Sequence, residues 1–153
     1  MLPEHDALHV IGTAWPIRDA MAFAQQAELV IGQETAITNA VAQEPMLKIV
    51  LLSHSTVENL TKHWVNTSSL HGDAACYPCH QIHYTQNGWH HCNHNKATDG
   101  AQCQADITVE RVIAVVDRHF GAPVRFVPRV ATAAVPDFLK KAPAADAVAR
   151  AVA

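Results

Sequence analysis

The sequence predicts an α/β fold in which a parallel sheet with flanking helices carries an inserted, cysteine-rich finger. Apolar, β-rich runs alternate with helical patterns over residues 7–53, and this order favours parallel strands joined by right-handed crossovers. All four cysteines lie in one polar, turn-rich segment from Cys76 to Cys103. The chain has 153 residues, of which 49% are hydrophobic, and this is enough for one globular domain with its own core.

Strands and helices alternate in the first third of the chain. Short apolar runs at residues 7–13, 28–32 and 48–53 indicate strands, and we expect the second of them to be buried. Pro16 suits the first turn of a helix, because its missing N–H group needs no partner there. The next helix is predicted over residues 35–43.

Two further helices and one strand frame the finger. The run Ser55-Thr56-Val57-Glu58 is a capping-box pattern and predicts a helix over residues 57–63. Residues 66–70 are predicted to form a last short strand that leads into the finger. After the finger, Thr108 caps an amphipathic helix that ends at Gly121.

The cysteine-rich segment has the spacing of a metal site. A Cys-x2-Cys turn places two thiolates on one side of a tight loop, and two later cysteines can complete a tetrahedron. The residues between them are polar and have little apolar surface to bury, so the segment needs a cross-link to hold its structure. We therefore expect a structural zinc or iron ion, held by Cys76, Cys79, Cys92 and Cys103.

Other uses of these side chains remain open. Two disulfides, or four unlinked thiols, would account for the same cysteines. One or two histidines could replace a thiolate, and His80, His91 and His94 lie closest to the cysteines in sequence. A zinc hydrolase built on the finger histidines would need three protein ligands and an open position, and the four cysteines argue against it.

Charge and hydropathy narrow the range of partners. The net charge is −3 with neutral histidines, so a field that attracts nucleic acid is not expected. No apolar run approaches the length of a membrane span, and the first residues lack the pattern of a signal peptide. We expect a cytoplasmic protein with no membrane span and no nucleic-acid partner.

Polar residues follow each of the first three predicted strands. Ligands of parallel α/β sheets bind outside the carboxyl ends of the strands, where this chain has Thr13, then Glu34 and Thr35, then Ser53 and His54. The carboxylate of Glu34 suits the hydroxyl groups of a sugar or ribose better than a phosphate. If Glu34 binds no ligand, its carboxylate would instead complement the dipole of the helix that follows. We interpret His54 as a solvated loop residue.

The run from Leu29 to Ala42 resembles the carboxyl-terminal half of the heptosyltransferase-type GT-B glycosyltransferases. Their pattern is an apolar strand, Gly-x-Asp-Thr-Gly, two residues, a histidine and a helix of small residues. In this chain Glu34, Ala36 and Asn39 stand where the family has its Asp, second Gly and His. The four-cysteine segment is similar to that of the iron-finger heptosyltransferases, which modify bacterial autotransporters.

The resemblance implies a domain organisation and a set of binding residues. Residues 1–130 would form a Rossmann-like, nucleotide-sugar-binding half of a GT-B fold, with the finger inserted at residues 71–105. Residues 131–153 would be an alanine- and proline-rich tail. The residues that would hold or line the site of a nucleotide-sugar donor, such as ADP-heptose, are Thr13, Glu34, Thr35, Asn39 and Ser53.

The function implied by the resemblance is donor binding in a glycosyltransferase that moves a sugar, such as heptose, from a nucleoside diphosphate to a hydroxyl acceptor. In the family, the acceptor domain and the catalytic base belong to the other half, so no catalytic residue is assigned. We expect the isolated chain to be inactive, and either a separate acceptor domain or self-association to complete the cleft. A bacterial or bacteriophage origin is expected. The alternative is a non-catalytic metal-finger module used for interaction or assembly.

Overall fold

The computed structural model describes residues 15–79, 84–85, 88–89, 92 and 100–121. The chain divides into two units, Met1–Asp19 with Arg125–Ala153, and Ala20–Val124. Nearly all described residues belong to the second unit. Among the helices within these described ranges, none has the length and apolar character needed to cross a bilayer. The strand predicted at residues 7–13 and the tail predicted at residues 131–153 lie outside the described residues.

The described elements follow the predicted alternation. In chain order they are α1 (Ile17–Ala24), β1 (Leu29–Gln33), α2 (Ala36–Ala40), β2 (Leu47–Leu52), a π-helical turn (Val57–Thr61), β3 (Thr67–His71), β4 (Tyr84–Thr85), β5 (Gly88–Trp89), α3 (Gln102–Ala105) and α4 (Val109–Phe120). Strands β1, β2 and β3 form a parallel sheet in that order, and β4 pairs with β5 as an antiparallel ribbon. The α/β class with a parallel sheet is therefore confirmed.

The core lies on β2, the middle strand of the parallel sheet. Ile49, Val50 and Leu52 have no exposed surface, as expected for a continuous apolar run with a neighbouring strand on each side. The expectation of a buried β1 is wrong, because β1 stands at one end of the described strand order. Its Ile31 keeps 48% of its surface exposed.

The turn from β1 into α2 is closed by Thr38, a polar residue that is only 1% exposed. The Thr38 hydroxyl donates to the carbonyl of Gln33 at 2.7 Å and accepts from the N–H of Thr35 at 3.1 Å. A β-carbon on Gly32 would lie 2.8 Å from the Thr38 methyl carbon, so the close approach requires glycine. The helix is shorter than predicted, five residues instead of the span 35–43. The turn fixes the position of the residue at its centre, Glu34.

The helix predicted after β2 is a π-helical turn whose cap is Thr56. The N–H of Thr56 donates to the Asn59 side-chain oxygen at 2.7 Å, and the N–H of Asn59 donates back to the Thr56 hydroxyl at 3.4 Å. A capping box is therefore present, but one residue later than the pattern from Ser55 indicates. Ser55 is unsuited to the cap position because its own N–H group donates to Glu34.

Helix α4 has the predicted ends. The hydroxyl of Thr108 accepts from the N–H of Arg111 at 3.4 Å, and Gly121 ends the helix with a φ of +83°. Its apolar stripe is not part of the core, since no residue of α4 is buried and Val109 is 67% exposed.

Candidate functional site

The carboxylate of Glu34 is bound by the loop that follows β2. This loop, called the β2 loop below, consists of Ser53, His54 and Ser55. Oxygen Oε2 of Glu34 accepts from the N–H of Ser53 at 3.0 Å, from its hydroxyl at 2.8 Å and from the N–H of His54 at 2.9 Å. Oxygen Oε1 accepts from the N–H of Ser55. Three successive backbone N–H groups thus surround one anion, in the manner of an anion-binding nest.

These hydrogen bonds decide the charge state of Glu34. Burial acts to raise the pKa of its carboxyl group, but the bonds from His54, Ser53 and Ser55 outweigh it, so the pKa is lowered. A carboxylate with a lowered pKa is a weak proton acceptor near neutral pH. The arrangement is suited to holding the β2 loop in place and to accepting hydrogen bonds, and less suited to general-base chemistry.

The other predicted donor-binding residues lie around this carboxylate. Ser53 is joined to Glu34 directly, as described above. Thr35 and Asn39 are exposed, and the Asn39 side-chain amide donates to the carbonyl of Thr35 at 2.8 Å. Thr13 lies outside the described residues. The structure therefore brings four of the five residues to one edge of the sheet, and their role in binding a nucleotide sugar stays a prediction.

The first half of the finger is attached to the β2 loop. We call residues 76–79 the CxxC loop. The N–H of Cys79 donates to the carbonyl of Ser53 at 2.8 Å, and the His54 ring nitrogen Nδ1 lies 2.6 Å from the carbonyl oxygen of Cys79. The Tyr77 hydroxyl donates to the carbonyl of Ser55 at 2.9 Å. His54 is exposed, as expected of a loop residue, and its ring also binds the CxxC loop.

The second half of the finger is attached to the end of β3. Cys103 lies in α3 and is 4% exposed. A β-carbon added to Gly72, which directly follows β3, would overlap the carbonyl oxygen of Cys103 and lie 2.8 Å from the β-carbon of Asp106. The backbone at Cys103 therefore packs directly on the glycine, and only glycine leaves the space.

The other three cysteines act on the thiol of Cys103. Burial raises the pKa of the Cys103 thiol, and the charges of Cys79, Cys76 and Cys92 raise it further. Cys76 and Cys103 are free thiols, so a framework of two disulfides is not formed. Across the described ranges, however, no three His, Cys, Asp or Glu side chains are gathered into the arrangement of a metal site.

Two aromatic residues that the sequence did not single out complete this edge. The rings of His71, the last residue of β3, and Tyr77 are stacked with centroids 4.5 Å apart and an interplanar angle of 8°. Burial and the charge of Glu34 together raise the pKa of Tyr77, which keeps its hydroxyl protonated as the donor to Ser55. The sequence feature that could have identified Tyr77 is its position inside the Cys-x2-Cys turn.

Family models, curated proteins and solved structures all gave no match.

Proposed function

We propose that this chain binds one structural zinc or iron ion through Cys76, Cys79, Cys92 and Cys103. The ion would join the cysteine-rich segment to the carboxyl edge of the α/β sheet. This proposal corresponds to a metal-finger module, and it is compatible with a donor-binding role for the same edge, considered below.

The observation that carries the proposal is the attachment of the two halves of the cysteine set to adjacent strand ends. Leu52 pairs with His71 in the parallel register of β2 and β3, so Ser53 and Gly72 follow at the next position of each strand. Cys79 is bonded to Ser53, and Cys103 packs on Gly72. Neighbouring strands lie about 4.8 Å apart, so the backbones of the two cysteines are held at adjacent strand ends.

The donor set fits a tetrahedral thiolate site. Zinc and iron both accept four cysteine thiolates, and a buried, closed site of this kind is structural. Cys79 and Cys103 are buried and Cys76 and Cys92 are half-buried, as ligands in a shielded site would be. A bound ion would supply a cross-link and the compensation of thiolate charge. The chain itself supplies the anchors at the ends of β2 and β3.

Elemental analysis of the purified, reduced protein tests this proposal. We expect about one iron or zinc ion per chain, and loss of most of it in Cys79→Ser and Cys103→Ser. The control variant is His63→Gln, which changes an exposed histidine away from the finger. A metal-free protein whose four thiols all react at once in the native state would rule out the site.

Variants of the finger histidines define the ligand set further. If four thiolates bind the ion, His80→Gln, His91→Gln and His94→Gln will each retain it. Loss of metal in one of them would indicate a mixed cysteine and histidine set. The absorption spectrum of the loaded protein separates the two metals, because an iron thiolate site absorbs in the visible range and zinc does not.

A second proposal concerns the use of this edge, and it is favoured by the two exposed polar residues beside the Glu34 carboxylate. We propose that Thr35 and Asn39 face a nucleotide-sugar donor at the carboxyl edge, as the resemblance to heptosyltransferase-type enzymes implies. The parallel sheet and its polar strand ends support this proposal, since α/β sheets bind their ligands at that edge. In this role Glu34 and Ser53 would form the wall of the site.

Binding of a nucleoside diphosphate and of ADP-heptose, measured by calorimetry, tests the donor proposal. Thr35→Ala should weaken binding by roughly fivefold to tenfold, the effect of one hydrogen bond, while the melting temperature changes little. Thr67→Ala is the matched control, because Thr67 begins β3 at the opposite edge of the sheet. Equal loss of binding in both variants, or no binding by the unaltered chain, would argue against a donor site.

The isolated chain is expected to transfer no sugar. A transferase must hold donor and acceptor in contact, and the resemblance places the acceptor domain and the catalytic base outside this half of the enzyme. The measurement is a transfer assay with nucleotide-heptose donors and a serine-containing or lipopolysaccharide acceptor. Steady turnover by this chain alone, lost in Thr35→Ala, would show that it is a complete enzyme.

A further inference from the structure

The β2 loop is held from two sides by parts of the chain that are distant in sequence. On one side, Ser53, His54 and Ser55 each donate a backbone N–H group to the carboxylate of Glu34. On the other side, each of the same three residues has one hydrogen bond to the CxxC loop. The conformation of the β2 loop therefore depends on both sides.

We propose that the β2 loop is the joint through which the four-cysteine site fixes the carboxylate of Glu34, with His54 and Tyr77 as the positioning residues of this coupling. The inference rests on the proposed metal site and adds a consequence of its occupancy. An ion bound to Cys76 and Cys79 restricts the backbone of the CxxC loop. That backbone and the Tyr77 hydroxyl bind the β2 loop, so the restriction reaches the N–H groups that hold Glu34.

His54 takes part through its ring. The carbonyl oxygen of Cys79 can only accept a hydrogen bond, so Nδ1 of His54 carries the proton in the 2.6 Å contact. The backbone N–H of the same residue donates to Glu34 at 2.9 Å. One residue thus joins the carboxylate to a proposed metal ligand, and the intervening atoms belong to a single side chain and its own backbone.

Tyr77 takes part through both its ring and its hydroxyl group. The hydroxyl donates to the carbonyl of Ser55 at 2.9 Å, while the ring stacks on His71 at the end of β3. The stack and the hydroxyl bond together attach the CxxC loop to the end of β3 and to the β2 loop. The variant Tyr77→Phe removes the hydroxyl bond and keeps an aromatic ring for the stack.

The coupling has to act in both directions. If an ion stabilises the β2 loop, a stable β2 loop must stabilise the bound ion by the same free energy. Weakening the joint should therefore make the amide groups of the β2 loop exchange faster in the loaded protein. It should also make the ion leave faster, although the four cysteines are unchanged.

Amide hydrogen exchange on the full chain, with metal bound and after chelation, tests the inference. In the unaltered protein we expect chelation to speed exchange at Ser53, His54 and Ser55 by about tenfold or more, as for a loop that opens locally, while Val50 in β2 changes little. In the loaded Tyr77→Phe and His54→Gln variants, exchange at these amides should already be faster by roughly twofold to tenfold.

The rate of metal transfer to a competing chelator is the second measurement. Tyr77→Phe and His54→Gln should release the ion faster by roughly the same twofold to tenfold, and the control variant His63→Gln should match the unaltered protein. Unchanged exchange in the β2 loop after the metal has left would overturn the coupling. Exchange and release rates in both variants equal to those of the unaltered protein would overturn it as well.

Metal content, measured first, separates the two proposals. A protein that holds no metal refutes the proposed site and this inference with it. A protein that holds metal but shows no effect of chelation on the β2 loop refutes the inference alone. The chelation comparison in the unaltered protein does not depend on the folding of any variant.

Discussion

At the two ends of the parallel sheet, side chains of opposite charge bind backbone groups. At the amino end the ammonium group of Lys48 donates to backbone carbonyls of Glu44 and Met46, the second at 3.0 Å. At the carboxyl end the carboxylate of Glu34 accepts from backbone N–H groups of the β2 loop. In each case a side-chain charge satisfies backbone groups where strands begin or end, and where the sheet supplies no partner.

The two ends differ in the distance along the chain over which these bonds act. The partners of Lys48 lie within four residues of it, so that contact closes one local turn. Glu34 binds residues 19 to 21 positions away, and those residues in turn bind the CxxC loop. The amino end is therefore a local structural closure, whereas the carboxyl end joins separate elements and is the end at which the proposed ion would act.

The largest effect that we predict is a local loss of structure at the carboxyl end of the sheet. Cys103→Ser should abolish binding of the proposed ion and unfold the segment around α3, because the binding free energy of a structural zinc ion is on the order of 10 kcal/mol. The β2 core should remain folded, since Ile49 and Val50 are buried in a strand that pairs with β1 and β3. Amide exchange at α3 and at Val50 measures the two regions separately. Retention of metal by the variant would contradict the prediction.

The second largest effect is expected for Gly72→Ala. It should lower the free energy of unfolding by about 3 kcal/mol, the upper range for overpacking. The added β-carbon would overlap the backbone at Cys103, which cannot rotate away as a side chain could. Denaturant unfolding and metal content both measure the effect.

The matched control for this glycine is Gly121→Ala. Gly121 has a φ of +83° but open space around its α-carbon, so the cost there is backbone strain of about 1 to 2 kcal/mol with no loss of metal. If Gly72→Ala were the milder of the two, the close packing of α3 on β3 would be wrong.

At the amino end, Lys48→Met should lower the free energy of unfolding by about 2 kcal/mol, because two carbonyl groups lose their buried donor. Metal content should not change, since the contact is local. Lys62→Met is the control: Lys62 is exposed and paired with Glu58 on the same turn, so its loss should stay within about 0.5 kcal/mol. Equal effects of the two variants would show that Lys48 does not stabilise the turn at the amino end of the sheet.

The smallest effect concerns the charge of Glu34. Glu34→Gln should lower the free energy of unfolding by about 1 kcal/mol at neutral pH, because a neutral amide accepts less strongly than a carboxylate and brings unneeded donors. It should also reduce the loss of stability in acid.

The direction of the pH dependence follows from the lowered pKa of Glu34. Between the folded and unfolded pKa values the unfolded chain binds more protons, so the contribution is complete above about pH 4.3, the unfolded value, and is lost as the pH falls through the folded value. Urea titrations from pH 7 to pH 3 compare Glu34→Gln with the control Glu58→Gln. Parallel curves for the two variants would contradict the role given to Glu34.

The sequence predicted strands β1, β2 and β3, helix α4 and the grouping of the cysteines, but not β4, β5 or α3. The apolar run of β2 and the cap and stop of α4 at Thr108 and Gly121 are local patterns, and local sterics and hydrogen bonding are enough to set them. The cysteine cluster is equally evident, because its four members lie in one short polar segment.

Only the tertiary structure decided what the polar residues contact. A glutamate after a strand has the same local pattern whether it binds a ligand, a helix end or another loop, and its attachment to the β2 loop depends on β1 lying beside β2. The docking of Cys79 and Cys103 on adjacent strand ends depends in the same way on the register of β2 with β3. Because β2 is a nearly continuous buried run with no alternating pattern, its own sequence does not fix the register, and packing between segments decides it.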